Sequence, residues 1–326
     1  MKPKILVTRE VFDETLDYLG AHCEVESNQR DQPFDQDTLA GRLADKAGVL
    51  CALTDRIDAR LLGRARELKV VANIAVGYNN IDVAACTARG ILATNTPGVL
   101  DDSTADLAFA LMLAAARRLT EVERYVREGE WTGWRLKQWL GVDVHHATLG
   151  IVGMGRIGQV IAKRASGFEM KVLYSNRKPV AKEIEQRLGA TYVTREELLK
   201  RSDFVILQVP YSPETQHLIG ARELALMKPT AILINSTRGG VVDDAALIAA
   251  LKDGTIRGAG LDVFENEPKL NPGFFELRNV VLAPHIGSST EATRRAMAMT
   301  AAKNLVAALT GATPPNLLNP GVKKKS

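Results

Sequence analysis

The sequence predicts an α/β protein of two doubly wound, parallel-sheet lobes, and three observations carry that reading. Short β-branched or apolar runs alternate with helix-length amphipathic segments from end to end, the pattern of βα units on a parallel sheet. The alternation falls into two series, one within the first hundred residues and one starting near residue 148. The chain is 326 residues long, and at roughly 150 residues per domain that provides for about two domains, each with its own core.

In chain order, the first series offers strands at 5–8, 49–53, 70–75 and 91–94, with helical stretches at 11–19, 58–67 and 82–89. The next segment opens with Asp101-Asp102-Ser103-Thr104, good N-cap chemistry, and continues as 105–119, rich in strong helix formers. A long helix is predicted there, crossing from one lobe to the other. The second series has strands at 148–152, 172–174, 204–209, 231–235, 259–263 and 280–283. A last helical stretch, 290–309, follows all of these strands and would return the chain to the first lobe, leaving that lobe discontinuous. No fixed-period repeat and no Gly/Ser tract is present, so short hinges are expected between the lobes.

Composition excludes several function classes. At 46% hydrophobic and 25% charged, the chain is an ordinary globular one. The 42 basic and 38 acidic residues leave +4, of which Lys323, Lys324 and Lys325 supply three charges in a tail expected to be a solvated end. With no basic run elsewhere, no nucleic-acid partner is expected. Cys23, Cys51 and Cys86 are odd in number and far apart, which argues against a disulfide framework and for a reducing compartment. The longest apolar run, 107–116, is ten residues, where a bilayer span takes about 20. The stretch Ile5-Leu6-Val7 is too short for a signal-peptide core. A cytoplasmic protein without membrane contact is expected. His145-His146 are adjacent on a loop, and such residues rarely make a ligand pair without nearby Cys or carboxylate partners, so no metal is expected.

The sharpest motif is Gly153-Met154-Gly155-Arg156-Ile157-Gly158, which follows the apolar run Leu149-Gly150-Ile151-Val152 and opens a helical stretch. The three glycines allow a tight turn, close backbone approach to a pyrophosphate and close helix–strand packing, and the helix N-terminus offers free N–H groups to the anion. The strand 171–174 lacks the usual acid for a ribose 2′-OH and ends in Ser175-Asn176-Arg177-Lys178. Arg177 can fork across a 2′-phosphate that a carboxylate would repel, so NADP(H) is favoured, with NAD(H) as the alternative. Arg238, Glu267 and His285 follow later strands of the second series, where open α/β sheets place their ligands.

The segments Gly153 to Gly158, Asn235 to Gly240, Gly260-Leu261-Asp262-Val263-Phe264, Glu267-Pro268 and Ala283 to Ser288 resemble, in order, the signatures of the D-isomer-specific 2-hydroxyacid dehydrogenases. The stretch from Asp143 through Gly158 is especially similar to the family's bacterial glyoxylate/hydroxypyruvate reductase branch, which also reduces 2-ketogluconate. The resemblance implies a dinucleotide-binding Rossmann domain at 101–287. A flavodoxin-like substrate domain would be made of 1–100 and 288–326, with the active site in the cleft between the two Rossmann-like lobes. It implies Arg238, Glu267 and His285 as catalytic residues. It also implies a cofactor site of Gly153, Gly155, Arg156, Ile157, Gly158, Ser175, Asn176, Arg177, Lys178, Val209, Pro210, Thr215, Thr237, Arg238, Asp262, His285 and Gly287. Asp262 would orient the nicotinamide carboxamide. Substrate contacts would be Val76 and Gly77 through backbone N–H groups, Arg238, His285, and Trp139, with Trp134 as the competing aromatic, reaching into a partner subunit. A homodimer is implied, with 105–139 as its interface.

The chemistry agrees with those roles. Reduction of a 2-oxo acid needs a hydride at the carbonyl carbon, a proton at the carbonyl oxygen, and a cation to hold the carboxylate. His285 is the acid, favoured in its charged form by Glu267, Arg238 is the cation, and a nicotinamide supplies the hydride. Two other readings stand against this one. The first is an NAD-linked relative for another acid such as phosphoglycerate, disfavoured by the missing ribose acid. The second is a nucleotide-sensing, corepressor-like module, disfavoured by retention of all three catalytic types. A formate dehydrogenase would pair its His with Gln where this chain has Glu267.

Overall fold

The computed structural model describes residues 1–322, so the Lys323, Lys324 and Lys325 run lies outside the described residues. Two compact units result, one made of residues 1–100 and 289–322 and the other of Asp101–Ser288. The first begins β1(Lys4–Val7), α1(Asp13–His22), β2(Glu24–Ser27), α2(Gln36–Arg42), β3(Gly48–Cys51), α3(Ala59–Arg64), β4(Val70–Asn73), α4(Val83–Ala88) and β5(Leu92–Thr94). The second holds α5(Asp101–Ala116), α6(Leu119–Arg127), β6(Thr148–Val152), α7(Arg156–Ala165), β7(Lys171–Ser175), α8(Lys182–Leu188), β8(Ala190–Tyr192), α9(Arg195–Arg201), β9(Phe204–Leu207), α10(Ala221–Leu226), β10(Ile232–Asn235), α11(Asp244–Lys252), β11(Gly258–Leu261) and β12(Val280–Leu282). The last helix, α12(Glu291–Leu309), belongs to the first unit.

Both sheets are wholly parallel, ordered β2-β1-β3-β4-β5 and β12-β11-β10-β9-β6-β7-β8. The α/β fold with two Rossmann-like parallel sheets is therefore as the alternating pattern predicts. The inner strands are apolar on both faces because helices cover both. In the first unit Leu6, Val49 and Val71 face Leu39, Leu43, Leu61 and Leu62. Their neighbours Ile5, Val7, Leu50, Val70 and Ala72 face Leu19 and, from α12, Ala298, Ala301, Ala302, Leu305 and Val306. The second sheet divides in the same way, with Phe204, Ile206, Ile232 and Ile234 on one side and Val205, Leu207 and Leu233 on the other.

Helix starts follow side-chain caps. Asp58, Asp82, Asp243 and Thr290 each accept from a first-turn N–H, so the helices after them begin one residue later. The helix expected from residue 105 departs from this rule. Residues 101–104 are its first turn rather than its cap, where Asp101 and Asp102 lie against the positive end of the helix dipole. It also ends early, because Arg118 takes a left-handed conformation (φ 55°) and a second helix starts at Leu119. It does not cross between lobes, since all of α5 lies in the second unit. Among the described residues no helix is long and apolar enough to cross a membrane, and no group of His, Cys, Asp and Glu could hold a metal ion. The three cysteines are free and buried.

Candidate active site

Strand order places the ligand-binding edge. In the seven-stranded sheet, the chain builds β6, β7 and β8 in one direction and then returns to lay β9 on the other side of β6. The carboxyl ends of β6 and β9 therefore flank a topological switch point, where open α/β sheets bind ligands. Gly153, at φ 107°, passes so close to the other strand that a β-carbon would stand 2.2 Å from the Gln208 carbonyl oxygen. A β-carbon on Gly158 would meet the Gly153 oxygen at the same distance, whereas one on Gly155 would meet nothing within 4 Å. The loop is thus packed at its ends and open at Gly155, where no side chain caps α7 and the first-turn N–H groups stay available. That cradle fits a dinucleotide pyrophosphate.

The other expected cofactor residues fall around it unevenly. Gly153 N–H donates to the Ser175 carbonyl at 2.9 Å, and Asn176 Oδ1 accepts from Met154 N–H at 2.7 Å. Arg177 and Lys178 are exposed. Thr215 braces the turn after Val209 and Pro210, donating from its hydroxyl to the Pro210 carbonyl at 2.7 Å. Ile157 packs against the core, and Arg156 points to Asp101, with Nε 3.0 Å from Oδ2.

Arg238, Glu267 and His285 follow β10, β11 and β12, three adjacent parallel strands, so their loops lie side by side. Asn235 shapes the first loop, accepting from Thr237 N–H and hydroxyl and donating to the Arg238 carbonyl. Gly239 is obligatory there, because a β-carbon would lie 1.6 Å from the Phe264 oxygen of the next loop. Glu267 Oε1 accepts from Phe264 N–H at 2.8 Å, and its Oε2 lies 2.8 Å from His285 Nδ1. His285 sits in the left-handed region (φ 56°), a costly place for a residue with a side chain. Asp262 holds it there. Its two carboxylate oxygens accept from Ile286 and Gly287 N–H at 2.7 and 2.8 Å, and its carbonyl accepts from His285 N–H. The expected carboxamide contact thus belongs to a carboxylate that already anchors the histidine turn.

Electrostatics favour an anionic Glu267. Burial pushes its carboxyl up, but the hydrogen bond and charge of His285, the Phe264 N–H and Arg238 together hold it below the usual carboxylate value. Burial raises Asp262, against the Ile286 and Gly287 N–H groups and His285. Burial also lowers Arg238, opposed by Glu267. An apolar cavity of about 280 Å³, lined in part by Phe264, Pro268, Leu270 and Phe275, adjoins the pair.

In the first unit, Asn95 Nδ2 donates to the Val76 carbonyl and Asn73 Nδ2 to the Gly77 carbonyl, at 2.8 and 3.0 Å. A trans peptide points its N–H opposite to its C=O, so the Gly77 and Tyr78 N–H groups face away from these asparagines. Among the described residues no acceptor takes them. The two asparagines carry no sequence signal that sets them apart. Trp139 lies against its own chain, with its ring 4.9 Å from that of Tyr125 and 5.0 Å below the Arg118 guanidinium. Trp134, at 80% exposure, is the one that projects.

Residues 109–287 match the family described as D-isomer specific 2-hydroxyacid dehydrogenase, NAD binding domain. A glyoxylate reductase from Thermococcus litoralis is 51% identical over 332 residues, covering 100% of this chain and 99% of that protein. One from Pyrococcus horikoshii is 49% identical over 328 residues, covering 99% and 98%. The crystal structure of an NADPH-dependent glyoxylate/hydroxypyruvate reductase from Sinorhizobium meliloti, in complex with NADP and malonate, superposes with a TM-score of 0.89 at 33% identity over 100% of both chains. With the family's sequence and fold both matched, the chain belongs to the D-isomer specific 2-hydroxyacid dehydrogenases and is an NAD(P)-dependent oxidoreductase acting on a CH–OH group.

Proposed function

We propose that this protein reduces small 2-oxo acids, glyoxylate and hydroxypyruvate and with them 2-ketogluconate, to D-2-hydroxy acids, with NADPH preferred over NADH. The observation that carries this reading is the 2.8 Å Glu267–His285 pair standing beside Arg238. An anionic Glu267 can only accept, so His285 Nδ1 carries a hydrogen and the transferable proton sits on Nε2, poised as general acid for a carbonyl oxygen. Arg238 offers a planar fork to the substrate carboxylate and carbonyl. The outward N–H groups after Val76 suit a carboxylate as well. When bound, the nicotinamide cofactor supplies the hydride. Gly153, Gly155, Gly158 and the start of α7 would hold its pyrophosphate, and Ser175, Asn176, Arg177 and Lys178 its ribose end. Domain 101–287 is accordingly assigned to the cofactor and the remainder to the substrate.

The test is the loss of 340 nm absorbance with NADPH or NADH against the three acids. NADPH is expected to be the faster donor, and Arg177→Ser to raise its KM roughly tenfold, the worth of about one charge-assisted hydrogen bond, while leaving NADH near wild type. Faster turnover with NADH overturns the cofactor assignment, and no turnover of any of the three overturns the function.

A second copy of the chain is part of the proposal. Leu119, Val126, Trp131, Trp134, Leu136 and Leu140 are all exposed, and α6 buries none of its residues. Large apolar side chains exposed this close together along the chain mark an interface. Elution at twice the chain mass is expected at micromolar concentration, with Leu119→Glu/Val126→Glu eluting as a monomer. A wild-type monomer refutes it.

A further inference from the structure

The loops bearing Arg238 and Glu267 are joined by a second polar cluster that takes no part in the chemistry above. Glu265 is its centre. Its N–H donates to Asp244 Oδ2 at 3.0 Å, its Oε2 accepts from Asp244 N–H at 3.3 Å, and its Oε1 lies 2.7 Å from His217 Nε2. His217 reaches the other loop through its main chain, donating N–H to the Gly240 carbonyl at 2.7 Å, and it does so from the left-handed region at φ 48°. One residue is therefore tied by its backbone to the loop two residues after Arg238 and by its ring to the loop two residues before Glu267. Among the described residues, the charged groups that face this ring are Glu265, Asp243, whose carboxylate is 3.8 Å away, and Asp244. Three carboxylates surround one imidazole.

We propose that protonated His217 is a positioning residue, a cationic clasp that holds the Glu267 loop in register with the Arg238 loop, so that 2-oxo acid reduction weakens when this imidazole loses its proton. Without the cation, Glu265 stands against Asp244 and Asp243 uncompensated, and like charges at this range repel. The repulsion falls on a segment whose next acid, Glu267, must stay at hydrogen-bond distance from His285. The hydrogen bond to Glu265 raises His217 above its usual value, against burial and with help from the charges of Glu265, Asp243 and Asp244. Burial pushes Asp244 up to about 6. The clasp is thus fully present below the ordinary imidazole value and is lost as pH rises through the raised His217 value.

The inference rests on the proposed reduction, and its test separates the two. Kinetics of the full-length enzyme from pH 5.5 to 9.5 should show two alkaline ionisations in kcat for glyoxylate. In His217→Gln, which keeps a donor but no charge, one is expected to vanish, with kcat at pH 6 about fivefold lower and cofactor KM within twofold. His217→Lys, charged throughout this range, should restore kcat and likewise lack that ionisation. A His217→Gln profile with both ionisations, or a uniform loss that lysine does not rescue, overturns the clasp. If the wild type turns over no 2-oxo acid, the proposed function fails instead. The clasp is then judged by proton NMR of the His217 ring, whose titration should fall to lower pH in Glu265→Gln, and an unmoved titration refutes it.

Discussion

Replacing His285 by alanine is expected to lower kcat for glyoxylate reduction by about 10²–10⁴-fold, the usual worth of a positioned general acid. The loss should fall on kcat, because the proton moves only as the carbonyl is reduced, while the cofactor cradle at Gly153, Gly155 and Gly158 lies on other loops. Glu267→Gln should be milder and of a different kind. Glutamine can still meet the ring but brings no charge, so kcat should fall by less than it does in His285→Ala. The Glu267 carboxyl is held below its usual 4.5, so the stability it contributes is present above that value and lost as pH falls through the lowered one. Steady-state rates across pH for both variants, with NADPH binding measured by fluorescence, check this. A His285→Ala variant within threefold of wild type would falsify the acid assignment.

Arg238→Lys should lower kcat/KM for glyoxylate by about 10–10²-fold despite keeping the charge. Two directed donors are reduced to one point charge, and each hydrogen bond to a charged group is worth about 1.5–3 kcal/mol. The site also cannot adapt, since Gly239 runs against the Phe264 carbonyl and fixes where the side chain starts. The loss should appear in substrate KM as well as in kcat. Near-normal KM for glyoxylate in Arg238→Lys would remove Arg238 from carboxylate binding.

How much of this was legible in the sequence depended on burial. Strands apolar on both faces stand out as uninterrupted runs, and nearly all of the central ones do. The two strands that leave no such mark, Glu24–Ser27 and Ala190–Tyr192, are the outermost of their sheets, where half-exposed residues such as Glu24, Glu26 and Thr191 interrupt the apolar pattern. Arg238, Glu267 and His285 could be picked out because a parallel sheet presents its ligands beyond the carboxyl ends of strands. Their supports could not. Asn95, His217 and Asp244 act through main-chain groups of distant loops, and no local spacing encodes which main-chain group a residue will meet. Asp101 and Asp102 misled for a related reason: acidic residues suit both a cap and a first turn.

The discontinuity of the first unit also imposes an order on synthesis. The sheet face formed by Ile5, Val7, Leu50, Val70, Ala72 and Leu92 is covered by α12, whose contacts begin at Ala298. On the ribosome that face emerges about 200 residues ahead of α12, and at roughly 5–20 residues per second it is covered only by α1 for about 10–40 s. The unit of Asp101–Ser288 is contiguous and complete by then. The part that carries Arg238, Glu267 and His285 is therefore the first whose pieces have all been made, while the amino-terminal sheet, although translated earliest, is the last to be closed.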